Sequence, residues 1–340
     1  MKRYLKDLSL LLVYFPYRWL VQTLPFQVSY QIATLLGNLK YLLLPPRRKH
    51  QIMANLDLIF GSKLSAREKK SILRRLCINT QKEFVDLFIL GRKDYTRYLQ
   101  ACSAEGLEHF DQVLSRGKGA VGLIFHFVSV NLSSPYTIYK GYQVTGFLAL
   151  SAYLKGSSPW VSRKVLKVKY LIWKERGNYQ IFTSLKSLLS MAVTQYQCLR
   201  ENHIVGSAGD GPLGKKSTVV DFFNVKLRVT LGTTLLAAKS GAGMVPTFAI
   251  RRKDNAQHFV FKEPIYVEGE GEEAVKRAVQ AYIRHLEHYV SHHPDHWLHW
   301  MRLEVEGVED GVPVIRFPYT RFFEAESVRP ASAEIPSLTL

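Results

Sequence analysis

Apolar and polar positions follow two rhythms along this chain. Between residues 65 and 90, Ile72, Leu73, Leu76, Ile78, Phe84, Leu87 and Phe88 recur at the spacing of one helix face. Lys69, Lys70, Arg74 and Arg75 supply the basic face of that helix. Ser65 with Glu68 three residues on is a capping box that starts it. From residue 106 the rhythm changes. Short apolar runs at 119–125, 143–150, 203–210, 243–252 and 258–267 alternate with helical patterns at 106–117, from near Ser129, and at 182–202, 230–241 and 272–293. Strands of that kind, alternating with helices, predict an α/β fold with a mostly parallel central sheet flanked by helices.

The first 44 residues read differently. The stretch from Leu8 to Phe26 is apolar but broken by Pro16 and Arg18, and a second apolar run, Ile32 to Leu44, ends at "PPRRKH". A spanning helix needs about 20 uninterrupted apolar residues. A cleavable signal would need a shorter apolar core and a small-residue cleavage site. Two alternatives stand: a membrane anchor, as a kinked span or a helix pair lying in the interface, or two ordinary core helices. Tyr14, Tyr17 and Trp19 suit headgroup depth, and Arg47, Arg48 and Lys49 suit anionic headgroups on the cytoplasmic side. The expected organisation is anchor helices at 1–45, an α/β domain at 46–310 and a partly disordered tail at 311–340, rich in Pro, Ser and Glu near its end.

Charge narrows the partners. Lys and Arg number 46 against 28 Asp and Glu, a net +18. That balance calls for an anionic partner: nucleic acid, an acidic membrane surface or an acidic substrate. The chain carries no zinc-finger or RRM signature, and its basic residues lie beside apolar stretches, so an anionic membrane surface is expected and nucleic acid is not. Three cysteines, odd in number and far apart, read as reduced thiols rather than a disulfide framework. Lys164, Lys167, Lys169 and Lys174, interleaved with Trp160, Tyr170 and Trp173, read either as a solvated face or as a contact for lipid phosphates or an acidic carrier protein.

His126 closes the apolar run Val121–Phe125, and Asp210 closes the run 203–210. Parallel sheets bind ligands at the carboxyl ends of their strands, so the two belong together as candidates. Asn131 lies one helical turn beyond His126. Its amide oxygen could accept Nδ1–H and orient the ring, but an amide cannot stabilise an imidazolium as a carboxylate does. A satisfied core histidine followed by a capping Asn is the plainer alternative. His285, His288 and His292 share a helical face, with His293, His296 and His299 following, but no cysteine or carboxylate cluster completes a metal site, and none is expected.

Over nearly all of residues 1–305 the chain resembles the bacterial lipid A late acyltransferases, the lauroyl/myristoyl family. The resemblance rests on "PPRRKHQIMANLDLIFG", "EGLEHFDQVLSRGKGAVGLIFH", the block from "GDGPLGKK" to "VPTFAIRR", and "HPDHWLHWMR". It implies an acyltransferase-like fold at the cytoplasmic face of an inner membrane. The implied reaction moves a fatty acyl chain from acyl carrier protein or coenzyme A to a hydroxyl or amine of a membrane lipid such as a lipid A precursor, within lipopolysaccharide synthesis and without a cofactor. By the same resemblance His126 is the general base, position 131 the orienting acid, Asp210 a second acid and Arg176 an assisting arginine. Ser129, Gly211, Lys215, Thr230 and Gly232 are the expected substrate contacts, the last two opening a helix whose free N–H groups could take a phosphate or an oxyanion. Where the family usually reads His–x–Gly–Asn–Trp–Glu, this chain reads His126, Phe127, Val128, Ser129, Val130, Asn131. Three outcomes follow. Asn131 orients His126, or Asp210 supplies the carboxylate, or the chain keeps the lipid-binding shape as a catalytically silent binder.

Overall fold

A computed structural model describes residues 2–149, 157–182, 185–211, 214 and 216–317. Its strands are β1 (Ser103–Glu105), β2 (Ala120–Ile124), β3 (Val144–Ala149), β4 (Tyr179–Phe182), β5 (Ile204–Ala208), β6 (Ser217–Phe222), β7 (Val225–Thr230), β8 (Gly243–Arg251), β9 (Gln257–Phe261), β10 (Glu304–Glu309) and β11 (Val312–Arg316). They form a seven-stranded sheet in the order β1-β9-β8-β2-β5-β3-β4 and a four-stranded sheet in the order β10-β11-β7-β6. In the larger sheet β8 and β9 pair antiparallel, and every other neighbouring pair runs parallel. The exception has a local cause: the turn between Arg251 and Gln257 is too short for a crossover, so the chain folds back on itself.

Alternation along β2 splits the core. Val121, Leu123 and Phe125 face a cluster with Phe248, Ile283, Leu286 and Trp297, while Ala120 faces one with Val245, Phe259, Leu132 and Tyr136. Strands β2 and β8 are buried on both faces, which is why they read as continuous apolar runs.

The Ala66–Ile89 helix starts at the predicted capping box, with the Glu68 N–H donating to Ser65 and the Ser65 N–H to Glu68. The N-terminal helices pack against it. Lys2–Leu12 runs into a π-helical turn, Val13–Tyr17, at Pro16, where the missing N–H widens the helix. Tyr14 and Tyr17 set their rings edge-on to Phe88. The Phe26–Leu43 helix crosses so closely that a Cβ on Gly37 would run into the Ile78 backbone. These helices therefore bury one side in the core. Their other side exposes Tyr4, Leu5, Leu8, Leu12, Trp19, Leu35, Leu39, Leu42 and Leu43. Among the described residues no helix is long and apolar enough to cross a membrane. At the other end, residues 312–316, placed in the tail by composition, form a strand between β10 and β7. Residues 318–340 lie outside the described residues.

Candidate active site

Parallel pairing sets Ile124 of β2 beside Ala208 of β5, so the residues that leave the two strands emerge together. The Gly209 N–H donates to the Ile124 carbonyl at 2.7 Å, which turns Asp210 beneath His126. Both Asp210 oxygens lie 3.0 Å from the His126 backbone N–H, and Oδ1 is 2.8 Å from Nδ1. Oδ2 accepts the Trp297 indole N–H at 3.2 Å. A carboxylate only accepts, so Nδ1 carries the proton and Nε2 is left as the basic nitrogen. The His126 side chain is 29% exposed and that of Asp210 is fully buried. Burial penalises charge on Asp210, but the attraction and hydrogen bonds of His126 and His299 outweigh it and hold the carboxyl well below the usual range.

The histidine segment at 292–299 contributes here, though not as a helical metal face. His299 Nε2 lies 3.4 Å from Asp210 Oδ2, and its ring centre is 4.4 Å from that of His126. Both of its ring nitrogens are buried without a hydrogen-bond partner. Burial pushes His299 down to about 4, with Asp210 opposing, so it is neutral at pH 7. His126, Asp210 and His299 are the one described group of such residues close enough to share a metal ion. Asp210 already receives three N–H donors, two from His126 and one from Trp297.

The backbone after His126 is fixed at each step. Leu298 N–H donates to the His126 carbonyl at 2.8 Å, and Val128 N–H to the His296 carbonyl at 2.9 Å. Ser129 is buried with a left-handed φ of 64°, and its N–H donates to Glu83 Oε1. Its hydroxyl donates to Asp86 Oδ2 at 2.8 Å and receives Arg251 Nη2 at 3.0 Å. Arg251 meets both Asp86 oxygens, and the Tyr30 hydroxyl donates to Asp86 Oδ1 at 2.6 Å. Unlike the expected substrate contact, Ser129 is a sealed strut between loop and helix.

Asn131 is not the partner of the His126 ring. Nδ1 is occupied by Asp210, and the Asn131 amide nitrogen donates to Glu83 Oε2 at 3.4 Å. Arg176 stands elsewhere: its Nε donates to the Leu90 carbonyl at 3.2 Å and its guanidinium covers the Tyr95 ring at 4.5 Å. Gly211 follows Asp210, and its carbonyl takes the Thr230 hydroxyl at 2.8 Å. Gly232 opens the Gly232–Ser240 helix, tied to β5 through Thr233 and Ser207 at 2.7 Å. Lys215 lies outside the described residues. Of the basic stretch, Lys164, Lys167 and Lys174 are exposed. Lys169 is buried between the Tyr14 and Trp173 rings, and burial pushes it down to about 7.

Sequence reasoning passed over Glu83, Asp86, Trp297 and the role of His299. A signal existed for Asp86: it interrupts "FVDLFIL", where a lone carboxylate in an apolar run needs a buried partner. A family model described as bacterial lipid A biosynthesis acyltransferase matches residues 3–303. No curated protein matches the chain.

Proposed function

The chain belongs to the bacterial lipid A biosynthesis acyltransferase family, and from that premise we propose that His126, oriented by Asp210, is the general base for transfer of a fatty acyl group from a thioester to a hydroxyl of a lipid A-like acceptor. The observation that carries this reading is the 2.8 Å contact between His126 Nδ1 and a fully buried Asp210. The acceptor hydroxyl gives its proton to Nε2 as its oxygen attacks the thioester carbonyl carbon. Asp210 stabilises the imidazolium that forms. The tetrahedral intermediate collapses, the carbon–sulfur bond breaks, and the departing thiolate takes the proton from His126. The pair therefore supplies the carboxylate that position 131 lacks, which favours an active enzyme over a silent binder.

The donor is acyl carrier protein or acyl-coenzyme A, both anionic, which suits a chain of net charge +18. The acceptor approaches from the cytoplasmic face of an inner membrane. Tyr4 (79% exposed), Trp19 (62%), Leu42 (70%) and Leu43 (71%) give the N-terminal helices an apolar outer side, with Arg47 and Arg48 beside it. Such a surface lies on a bilayer and draws on anionic headgroups.

The test is transfer from labelled acyl carrier protein and labelled acyl-coenzyme A to a lipid A precursor in vesicles. Wild type is expected to transfer, and His126→Ala to lose transfer to background. Transfer that survives His126→Ala rules out the base assignment. No transfer by wild type, with acyl lipid co-purifying, supports the binder instead.

A further inference from the structure

Position 131 is where the resemblance puts an acid and the chain puts an amide. The structure places an acid against that amide from another element. Glu83, on the Ala66–Ile89 helix, receives the Ser129 N–H on Oε1 and faces the Asn131 amide with Oε2 at 3.4 Å. We propose that Glu83 and Asn131 act as one positioning unit, a protonated carboxylic acid paired with a primary amide, which stands in for the acid expected at 131 and fixes the start of the Val130–Tyr139 helix behind His126. The proposal rests on the acyltransferase reading only for its effect on rate.

Charge balance supports the protonated form. The groups facing Glu83 are Asp86 from its own helix, Arg251 from β8 with Nη2 at 3.7 Å, and the Ser129 N–H and Asn131 amide from the loop. Arg251 is committed to Asp86, meeting both its oxygens, and the Tyr30 hydroxyl is given to Asp86 as well. The neighbouring Lys82 is turned to the Asn255 side chain at 2.6 Å. Two carboxyl groups thus share one guanidinium, and Glu83 has the poorer share. Burial, then repulsion from Asp86, pushes Glu83 up to about 8, with Arg251 pulling the other way. In the structure the Asn131 amide nitrogen donates to Oε2 at 3.4 Å; the O and N of an amide are assigned by bonding alone, and a half-turn presents the oxygen to a protonated Oε2. An Asp or Glu at 131 would instead set another carboxyl against Glu83.

The experiment joins a spectroscopic readout to a mutant cycle. In infrared spectra of the full-length protein in detergent, the carbonyl band of a protonated carboxyl should be present at pH 6, fade with a midpoint near pH 8, and be missing from Glu83→Gln. In the transfer assay Glu83→Ala should lower kcat about 5- to 100-fold with KM little changed, the range for one half of a buried polar pair left unpaired. Glu83→Gln, which keeps shape and hydrogen bonding, should recover most of that loss. Asn131→Asp should lose kcat most above pH 7, and adding Glu83→Gln to it should restore the rate. A carboxyl band unaltered by Glu83→Gln overturns the proposal. So does an Asn131→Asp penalty that is the same with and without Glu83→Gln. If Glu83→Ala does not fold, the Gln variant and the cycle decide. If no thioester is turned over by wild type, the acyltransferase reading fails. The infrared band, and thermal midpoints for the same cycle, then decide the pair on their own.

Discussion

Asp210 and Glu83 grip opposite ends of one loop, His126 to Ser129, and end in opposite charge states. Depth does not explain it. Asp210 is fully buried and stays ionised, while Glu83 keeps 13% of its side chain exposed and is pushed up to about 8. The difference lies in what each carboxyl meets. Asp210 takes three N–H donors with a second histidine close by; Glu83 takes one backbone N–H, one amide contact, and a guanidinium already claimed by Asp86. A buried carboxyl is charged when enough donors surround it, and neutral when they are shared.

The largest expected effect separates the two ends by function. Asp210→Asn keeps the shape but removes the charge that fixes the His126 tautomer. It should cost about 10⁴ in kcat, by analogy with the same change in a Ser-His-Asp site. Asn131→Ala should cost far less, about 5- to 100-fold. Equal losses at both positions would erase the distinction. Next, Arg251→Met strands Asp86 as a buried charge. It should destabilise the fold by about 3–5 kcal/mol in urea unfolding. A loss below 1 kcal/mol would mean that Asp86 does not depend on this partner.

The last effects show as slopes of stability against pH. Glu83 is raised from 4.5 to about 8, so its contribution is complete below pH 4.5 and fades as pH rises through 8. His299 is lowered from 6.5 to about 4, so its contribution is complete above pH 6.5 and fades as pH falls through 4. Glu83→Gln should flatten the alkaline limb of stability and His299→Gln the acid limb, each leaving the other intact.

These ends were unequally legible in the sequence. His126 and Asp210 close apolar runs that become adjacent strands, and strand-end logic pairs them although 84 residues separate them. The capping box at Ser65 is equally local. Glu83 and Asp86 escaped because a carboxyl on an amphipathic helix reads as solvated until the neighbours that bury it are known. Strands β6, β7 and β10 escaped because "STVVDF", "VKLRVT" and "EVEGVE" mix charge into short apolar runs. The antiparallel β8–β9 pair was hidden in the length of its turn rather than in any periodicity.

The contacts that close the loop come from a segment about 170 residues further along the chain. The His126 carbonyl and the Val128 N–H are bonded by Leu298 and His296, and Trp297 braces Asp210. A chain that stops before residue 296 has β2, β5 and the Gly209–Ile124 bond that sets Asp210 beneath His126, but lacks the bonds that close the loop after it. The residues at 296–298 are therefore what closes the loop that follows His126.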